Sequence, residues 1–302
     1  MGRSPLEIPE LVAGALFAPF RADLRRSVRH ALGVPSEPPP GTSDPAHPFL
    51  APDGVARQVH ADLPSMVVGG MAALMLQTLH PLAMAGVADH SNYKEHAIGR
   101  LRRTAAFVGA TTFGSVDEAN VAIEHVREVH RAIRGTAPDG RPYAADDPDL
   151  LTWVHVAEMW CFLQACQRYG PRRLSPEEAD RYLAETSVVA RALGAEWVPE
   201  TVDEVAAYFR RVRPELYAGP QAMGARDFLL RGVSNRPGDR AVHALIVAAA
   251  ITLLPGWARR ELRLAVPPLV APVVERLVVA PTARAMCSAV RWTAGPPTPA
   301  AT

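Results

Sequence analysis

The sequence has almost no lysine, few cysteines and few aromatic residues. These low counts limit the classes of function that the composition allows. Lys94 is the only lysine among 32 basic residues, and 31 acidic residues leave a net charge of +1. This balance gives no electrostatic basis for binding nucleic acid or an anionic membrane. Three cysteines, Cys161, Cys166 and Cys287, have no metal-site spacing, and their odd number disfavours a disulfide framework. We expect a reduced, cytoplasmic setting.

Long hydrophobic runs are also missing. The most apolar stretch, 242–255, has about 14 residues where about 20 are needed to span a bilayer. The N-terminus carries charged residues in an amphipathic pattern, without the apolar core and cleavage site of a secretory signal. Because 48% of the 302 residues are hydrophobic and 21% are charged, the composition is typical of a soluble globular protein. We expect no integral membrane segment.

Apolar residues recur with helical spacing along nearly the whole chain, and no stretch alternates as a strand does. The sequence therefore predicts an all-α fold built as a single multi-helix domain over 47–294. Before it we expect an N-terminal helix over 9–32 and a proline-rich strap, which together make up 1–46. The C-terminal third is expected to be helical, and the tail 295–302 is expected to be disordered.

The pattern predicts helices over 65–79, 97–113, 116–134 and 148–169, with a loop over 135–147. Ser115 is expected to cap the third of these helices, with Glu118 completing a capping box. Ser175 and Thr201 are expected to begin two further capped helices. In the first helix, Gly69 and Gly70 would permit close approach by another helix or by a flat ligand.

The second and third of these helices, if paired as an antiparallel hairpin, bring Arg100 nearly level with His130. Arg103 and Thr104 follow Arg100 by three and four residues, so the three side chains can share one face. His130 falls on the apolar stripe of its helix and is expected to point inward. His125 falls among charged residues and is expected to face water.

Each of these residues also has a purely structural interpretation. His130 could hydrogen-bond a backbone carbonyl, Arg100 could be a surface or ion-paired residue, and His155 could be a satisfied core histidine. The Glu-x-x-His pairs of di-iron bundles are absent, and in His155-x-x-Glu158 their order is reversed. The zinc-protease, P-loop and dinucleotide motifs are also absent. A cofactor held by one axial histidine needs no local motif, so the missing motifs do not exclude it.

Five segments carry a resemblance to a known family: LQTLHPLAMAGVADHS at 76–91, RLRRT at 100–104, VH at 129–130, YAADDP at 143–148 and LTWVH at 151–155. In this order they resemble the signature of the MpaB and rubber oxygenase (latex-clearing protein) family, over about 69–217. The resemblance implies an all-α, globin-like fold that carries heme b.

The resemblance also assigns roles to individual residues. His130 corresponds to the proximal iron ligand, and Arg100 and Thr104 correspond to the distal arginine and threonine. Arg100 would supply a fixed positive charge that stabilises negative charge on the oxygen of dioxygen or peroxide. Arg103 stands where the rubber-cleaving branch has a lysine. Because arginine does not readily lose its proton, an open or water-filled sixth site is expected there.

Four residues are expected as walls of a heme pocket, Gly69, Gly70, Phe107 and Trp153, with His155 also in contact with the cofactor. The stretch 83–89 has no glutamate, so cleavage of polyisoprene is not supported. The predicted function is a heme b-dependent oxygenase or peroxidase that acts on a small organic or apolar substrate, with dioxygen or peroxide as oxidant.

Two alternatives to this enzyme remain open. One is a non-catalytic heme-binding or heme-sensing protein, in which a second histidine such as His80 or His155 completes the ligation. The other is a helical binder of an apolar metabolite. Cys161, Cys166 and the apolar C-terminal helices leave room for a homo-oligomer.

Overall fold

The computed structural model describes residues 47–264 and 271–294. The helix expected over 9–32, the proline-rich strap and the tail 295–302 lie outside these described residues. Within them, the all-α prediction is confirmed, since helices form the whole body apart from one small two-stranded sheet.

The elements are numbered in chain order. They are α1 (Val55–His60), α2 (Leu63–Gln77), α3 (Pro81–His90), α4 (Ala97–Phe113), α5 (Val116–Ala132), β1 (Arg134–Thr136), β2 (Pro142–Ala144), α6 (Pro148–Tyr169), α7 (Pro176–Leu193), α8 (Val202–Val212), α9 (Pro220–Arg231), α10 (Pro237–Leu253), α11 (Gly256–Glu261), α12 (Ala271–Val274) and α13 (Ala280–Ala294), with a π-helical turn at Glu275–Val279 between the last two.

Helix starts follow the predicted caps. Ser115 and Ser175 each accept a hydrogen bond from a backbone N–H three residues on, and Glu118 and Glu178 reach back to the backbone N–H of the capping serine. Thr201 caps α8 in the same manner, without the return bond. All three predicted caps are confirmed. Each satisfies donors that the first turn of a helix otherwise leaves unpaired.

The predicted end of the helix at 134 and the predicted loop over 135–147 were wrong, because α5 ends at Ala132 and residues 134–136 and 142–144 form the strands of a small hairpin. Strands β1 and β2 pair antiparallel, with Gly135 opposite Tyr143. A Cβ at Gly135 would lie 2.5 Å from the Tyr143 hydroxyl, so a larger residue there would have to displace the Tyr143 side chain. Gly140 turns the chain at a φ of +87°. Three residues per strand are too few to show an alternating pattern.

Helices α2 and α6 pack along each other at the centre of the core, and α10 packs on α2. A Cβ at Gly69 would lie 2.9 Å from the Phe162 ring and 3.0 Å from the Cys161 carbonyl oxygen, so this glycine allows the close approach. Gly70 is half-buried, and its nearest neighbour is the Phe162 ring at 3.7 Å. Gly69 is therefore needed for the close packing of α2 and α6, whereas Gly70 has space beside it.

The three cysteines do not provide a surface for self-association. Cys161, Cys166 and Cys287 are all buried and free, so none offers an exposed thiol to a second copy.

Among the described residues no single helix is long and apolar enough to cross a membrane. The pair α2 and α3 reaches that length and hydropathy together, but the two helices bend by 103°.

Candidate functional site

The α4–α5 hairpin, which carries the candidate heme residues, is well packed only at its closed end. Its capped turn lies between Gly114 and Val116, and the buried side chains of the two helices are confined to Thr111, Thr112, Ala119 and Ile123. Arg57 of α1 donates to the carbonyl oxygens of Thr112 and Phe113, each at 3.0 Å. The predicted hairpin is confirmed, and α1 fastens its turn to the body.

The open arms of the hairpin contain no buried residue over 97–106 and 124–132. Three large apolar side chains there are strongly exposed: Ile98 by 39%, Leu101 by 46% and Val129 by 45%. A helix gains most of its stability in a protein by burying an apolar stripe. On these arms the apolar stripe is exposed at the surface of the protein instead of being buried in its core.

Arg100 lies on the first arm and is half-buried. Its guanidinium donates a hydrogen bond to the Ser91 hydroxyl. Burial lowers the pKa of Arg100, and the neighbouring Arg103 lowers it further. Thr104 and Arg103 are exposed, and Phe107 is half-buried one turn farther on.

His130 lies on the second arm and is half-buried, so the predicted inward orientation holds only in part. Its imidazole has no hydrogen-bond partner among the described residues. Burial lowers the pKa of His130, while the Asp146 carboxylate opposes that shift. His125 is exposed, as expected. None of the contacts described for the structure joins His130 to Arg100.

A second surface faces away from the core on α2 and α6. Leu74 is 42% exposed and Val154 is 38% exposed. The Gln77 amide donates to the Val154 carbonyl oxygen at 3.0 Å and ties the two helices together beside them. With Gly70, these residues form an apolar strip along the α2–α6 pair.

The hairpin and the α2–α6 pair are held together through α1 and α7. Both α5 and α6 pack on α7, and both α4 and α6 contact α1. Arg127 of α5 donates to the Ala192 carbonyl oxygen at the end of α7. The space between the hairpin arms and the α2–α6 strip is called the cleft below.

Polar side chains from α1, α4 and α7 meet at the closed end of the cleft. Nδ1 of His60 lies 2.8 Å from the Thr112 hydroxyl, and Nε2 lies 3.0 Å from the Tyr182 hydroxyl. The Tyr182 hydroxyl also donates to Sδ of Met159 at 3.4 Å. Burial lowers the pKa of His60 to about 3, so its ring is neutral.

His155 and Glu158 lie one turn apart on α6, beside this group. Neither side chain has a hydrogen-bond partner among the described residues. Burial lowers the pKa of His155 to about 4, and the charge of Arg191 adds to this effect. Burial raises the pKa of Glu158 to about 7. Both side chains are nevertheless partly accessible, as expected for residues that line a cleft.

Trp153, expected as a pocket wall, is fully buried in the core. Its indole N–H donates to the Gln77 carbonyl oxygen at 3.2 Å, and its ring packs 5.9 Å from His80 and 6.3 Å from Phe209. Trp153 therefore offers no exposed surface to a ligand. His80 is 4% exposed, and its Nδ1 atom is buried without a partner.

Sequence reasoning missed Glu158, His60 and Tyr182. The only local signal is the His155-x-x-Glu158 spacing, and as a metal motif its order is reversed. His60 and Tyr182 are 122 residues apart and meet only through the tertiary fold. Within 47–264 and 271–294, no three His, Cys, Asp or Glu side chains are arranged to hold a metal ion.

The structure is an all-helical domain in which exposed apolar side chains of the hairpin arms and of the α2–α6 strip border the cleft. Residues 57–292 match the family described as "ER-bound oxygenase mpaB/B'/Rubber oxygenase, catalytic domain". The chain belongs to this family of oxygenase catalytic domains, and the match extends beyond 69–217 in both directions. Neither the curated proteins nor the solved structures gave a significant match.

Proposed function

We propose that the protein is a heme b-dependent oxygenase that acts on a small organic or apolar substrate in the cleft, with His130 as the axial iron ligand. The family supports oxygenase activity, and with it a substrate and oxygen as reactants. The proposal adds to this the use of heme, the axial ligand His130 and the distal residues Arg100 and Thr104. It also adds peroxide as an alternative oxidant and a cytoplasmic location.

One observation carries the proposal: the half-buried His130 imidazole has no hydrogen-bond partner among the described residues. Among the described residues its ring nitrogens are not buried atoms without a partner, so they are accessible and open to a ligand. Burial also keeps the ring neutral, since the pKa of His130 lies below its ordinary value. A neutral imidazole with a free nitrogen is the form that coordinates iron.

The apolar side chains that border the cleft fit a heme. A porphyrin is large, flat and apolar, and it buries several hundred square ångströms of surface. Exposed Leu101 and Val129 on the hairpin arms, and Leu74 and Val154 on the α2–α6 strip, supply apolar contact surface of that kind. Gly70 adds a position where no side chain projects into the cleft.

Bound heme would supply the redox chemistry that activates the oxidant. His130 would hold the iron, and Arg100 would place several N–H donors and a permanent charge toward the distal side. Because Arg100 is half-buried, its charge is screened less than that of an exposed arginine. Thr104 is exposed and free to donate a hydrogen bond to the oxidant or to water.

Two sequence features argue against the rubber-cleaving branch of the family. They are Arg103 and the stretch 83–89. Arg103 is exposed, and an arginine side chain, unlike the lysine of the rubber-cleaving branch, does not readily coordinate iron. The stretch 83–89 lacks the glutamate expected for the rubber-cleaving branch. A small organic or apolar substrate is therefore proposed rather than polyisoprene.

The test compares two histidines of the same helix. Purified protein is titrated with hemin, and the Soret band is recorded for the wild type, His130→Ala and His125→Ala. His125 is exposed on α5 and serves as the matched control. We expect the wild type and His125→Ala to give the same spectrum, and His130→Ala to lose or shift it.

An unchanged spectrum in His130→Ala would overturn the axial assignment. A low-spin, six-coordinate spectrum in the wild type, lost on substituting His80 or His155, would instead indicate a bis-histidine heme sensor. If no heme binds while apolar ligands raise the melting temperature, the protein is a helical binder of apolar metabolites.

A further inference from the structure

Helix α12, the π-helical turn and α13 follow one another without a break, and the first turns of this long helix expose an apolar face. Four large aliphatic side chains form the face, Val273, Val274, Leu277 and Val278, and all four are exposed. Their spacing places them on one side of the helix. This set is called the α12 face below. Because helices of globular proteins bury their apolar side, an exposed one marks an interaction surface.

The charged side of the same turn is directed toward the body of the protein. The Glu275 carboxylate accepts a hydrogen bond from Arg259 of α11, and it lies 3.7 Å from Nη2 of Arg168 on α6. Glu275 is half-buried, whereas Leu277, two positions on, is exposed. The usual amphipathic order is therefore inverted. Rotating the helix to bury the α12 face would separate Glu275 from both arginines, so these ion pairs hold the apolar side outward.

Positive charge accompanies the α12 face. Arg260 of α11, Arg263 just after it and Arg276 of the π-helical turn are exposed, and none has an ion-pair partner among the described residues. The two acids of this region, Glu261 and Glu275, are each paired with a different arginine. Because Glu275 pairs with α11, the end of that helix lies beside the turn. The net charge of +1, from which we expected no affinity for an anionic membrane, averages over this uneven distribution.

Charge disfavours the two occupants that the chain itself could supply. In a symmetric dimer joined at this face, the same three arginines of two copies would face each other. The segment 9–32 carries four arginines against two acids, Glu10 and Asp23, so it too is positive. Like charges brought together across an interface oppose association. The α12 face therefore fits a partner that is anionic and also offers an apolar layer.

We propose that the α12 face, with Arg260, Arg263 and Arg276, binds the surface of an anionic lipid bilayer. The exposed side chains are valine and leucine, which are under-represented at the energetic centres of protein interfaces, where tryptophan and tyrosine prevail. Aliphatic side chains enter the acyl boundary of a bilayer, while the long stems of arginine let its charge reach the headgroups. The helix lies on the bilayer and does not cross it. This inference is independent of heme.

The test measures sedimentation of the full chain with lipid vesicles. One set of vesicles is pure phosphatidylcholine, and the other contains phosphatidylcholine and phosphatidylglycerol at a ratio of about two to one. We expect the protein to bind the anionic vesicles at least about tenfold more tightly than the neutral ones, because three arginines each interact with anionic headgroups. Raising the salt from about 0.1 M to about 0.5 M should reduce this preference, since it screens the charges.

Two pairs of variants test the residues. Leu277→Ser should weaken binding to the anionic vesicles about tenfold, because it removes the most exposed aliphatic side chain of the face. Val121→Ser on α5 is its matched control, since Val121 is 72% exposed and Leu277 is 71% exposed. Arg276→Gln should weaken binding to the anionic vesicles about fivefold and leave binding to the neutral ones unchanged. Arg173→Gln, at an exposed arginine before α7, should change neither.

A fluorescent label locates the contact. The native cysteines are buried, so an environment-sensitive thiol dye reacts with an introduced surface cysteine in Leu277→Cys or Val121→Cys. We expect anionic vesicles to shift the emission of the dye to the blue at position 277, where it leaves water, and to have no effect at position 121. This measurement does not depend on how much a variant weakens binding.

The proposal is overturned if the protein does not sediment with anionic vesicles, or if Leu277→Ser and Val121→Ser bind them equally well. A blue shift at position 277 that grows with protein concentration in the absence of vesicles would indicate a second copy as the occupant. A blue shift with soluble polyglutamate as large as that with vesicles would indicate an acidic polypeptide. Either shift would overturn the assignment to a bilayer.

Discussion

Arg291 donates two parallel hydrogen bonds to the carboxylate of Asp62, from Nε to Oδ1 at 2.6 Å and from Nη2 to Oδ2 at 2.7 Å. Asp62 is the N-cap of α2 and also accepts from the Ser65 backbone N–H. The pair therefore joins the C-terminal helix α13 to the start of the central helix. The Asp62 side chain is only 8% exposed, so the carboxylate depends on this partner.

Removing the arginine should destabilise the fold measurably. Arg291→Ala leaves a buried carboxylate without its counterion, and we expect a loss of about 3 kcal/mol in the free energy of unfolding by urea. Arg291→Lys keeps the charge but loses the two-pronged geometry and should cost about 1 kcal/mol. Arg131→Ala, which breaks the exposed pair with Glu124, should cost below about 1 kcal/mol. Equal stability of Arg291→Ala and Arg131→Ala would contradict this account.

The two adjacent glycines of α2 provide a matched test of packing. A methyl group at Gly69 meets Phe162 and the Cys161 carbonyl oxygen at 2.9–3.0 Å, so Gly69→Ala should cost about 1–3 kcal/mol through overpacking. Gly70→Ala meets only the Phe162 ring at 3.7 Å and should gain up to about 1 kcal/mol from helix propensity. Urea unfolding of the two variants measures this difference, and a reversed order would contradict the packing described for α2 and α6.

Glu158 predicts a pH dependence of stability with a definite sign. Its pKa is about 7 in the folded protein, against an ordinary value of 4.5, so folding favours the protonated form. The resulting stabilisation is complete below pH 4.5 and is lost as the pH rises through 7. Glu158→Gln cannot ionise. Relative to the wild type, it should therefore gain roughly 2 kcal/mol between pH 4.5 and pH 8.

The measurement is the free energy of unfolding of both proteins at the two pH values. His60 and His155, whose pKa values are about 3 and 4, are present in both proteins, and their titration cancels in the difference. A difference between wild type and Glu158→Gln that does not change with pH would show that Glu158 is in ordinary contact with solvent.

Arg100 predicts a change in reactivity without a loss of cofactor. Arg100→Ala removes a half-buried donor on the distal side and should slow the reaction of the heme-loaded protein with hydrogen peroxide by roughly 100-fold. Heme content, read from the Soret band, should stay the same. Arg173→Ala, at an exposed arginine before α7, is the control. Equal rates for Arg100→Ala and the wild type would remove Arg100 from the distal site.

Much of the fold could be predicted because its signals are local. The bounds of α4 and α6 follow from helical periodicity together with a proline and capping residues at or near their ends, and the Ser115 capping box defines the start of α5. The β1–β2 hairpin was missed because its strands are too short to show a period. Its signals were the turn at Gly140 and the glycine facing Tyr143.

The candidate site was predictable only where it lies on one hairpin. Arg100, Thr104 and His130 could be related by counting residues from a single turn. The His60–Tyr182 contact and the unpartnered state of Glu158 depend on how α1, α6 and α7 pack, and no local spacing encodes that. The burial of Trp153 likewise depends on tertiary contacts with His80 and Phe209, which no local spacing encodes.

The bond between His130 and heme iron is the central claim, and chemical rescue tests it most directly. His130→Gly removes the imidazole and leaves room for a free one. We predict that its heme spectrum differs from the wild type and returns to it as imidazole is added, whereas the spectrum of His125→Gly never departs from the wild type. A wild-type spectrum in His130→Gly before any imidazole is added would contradict the claim.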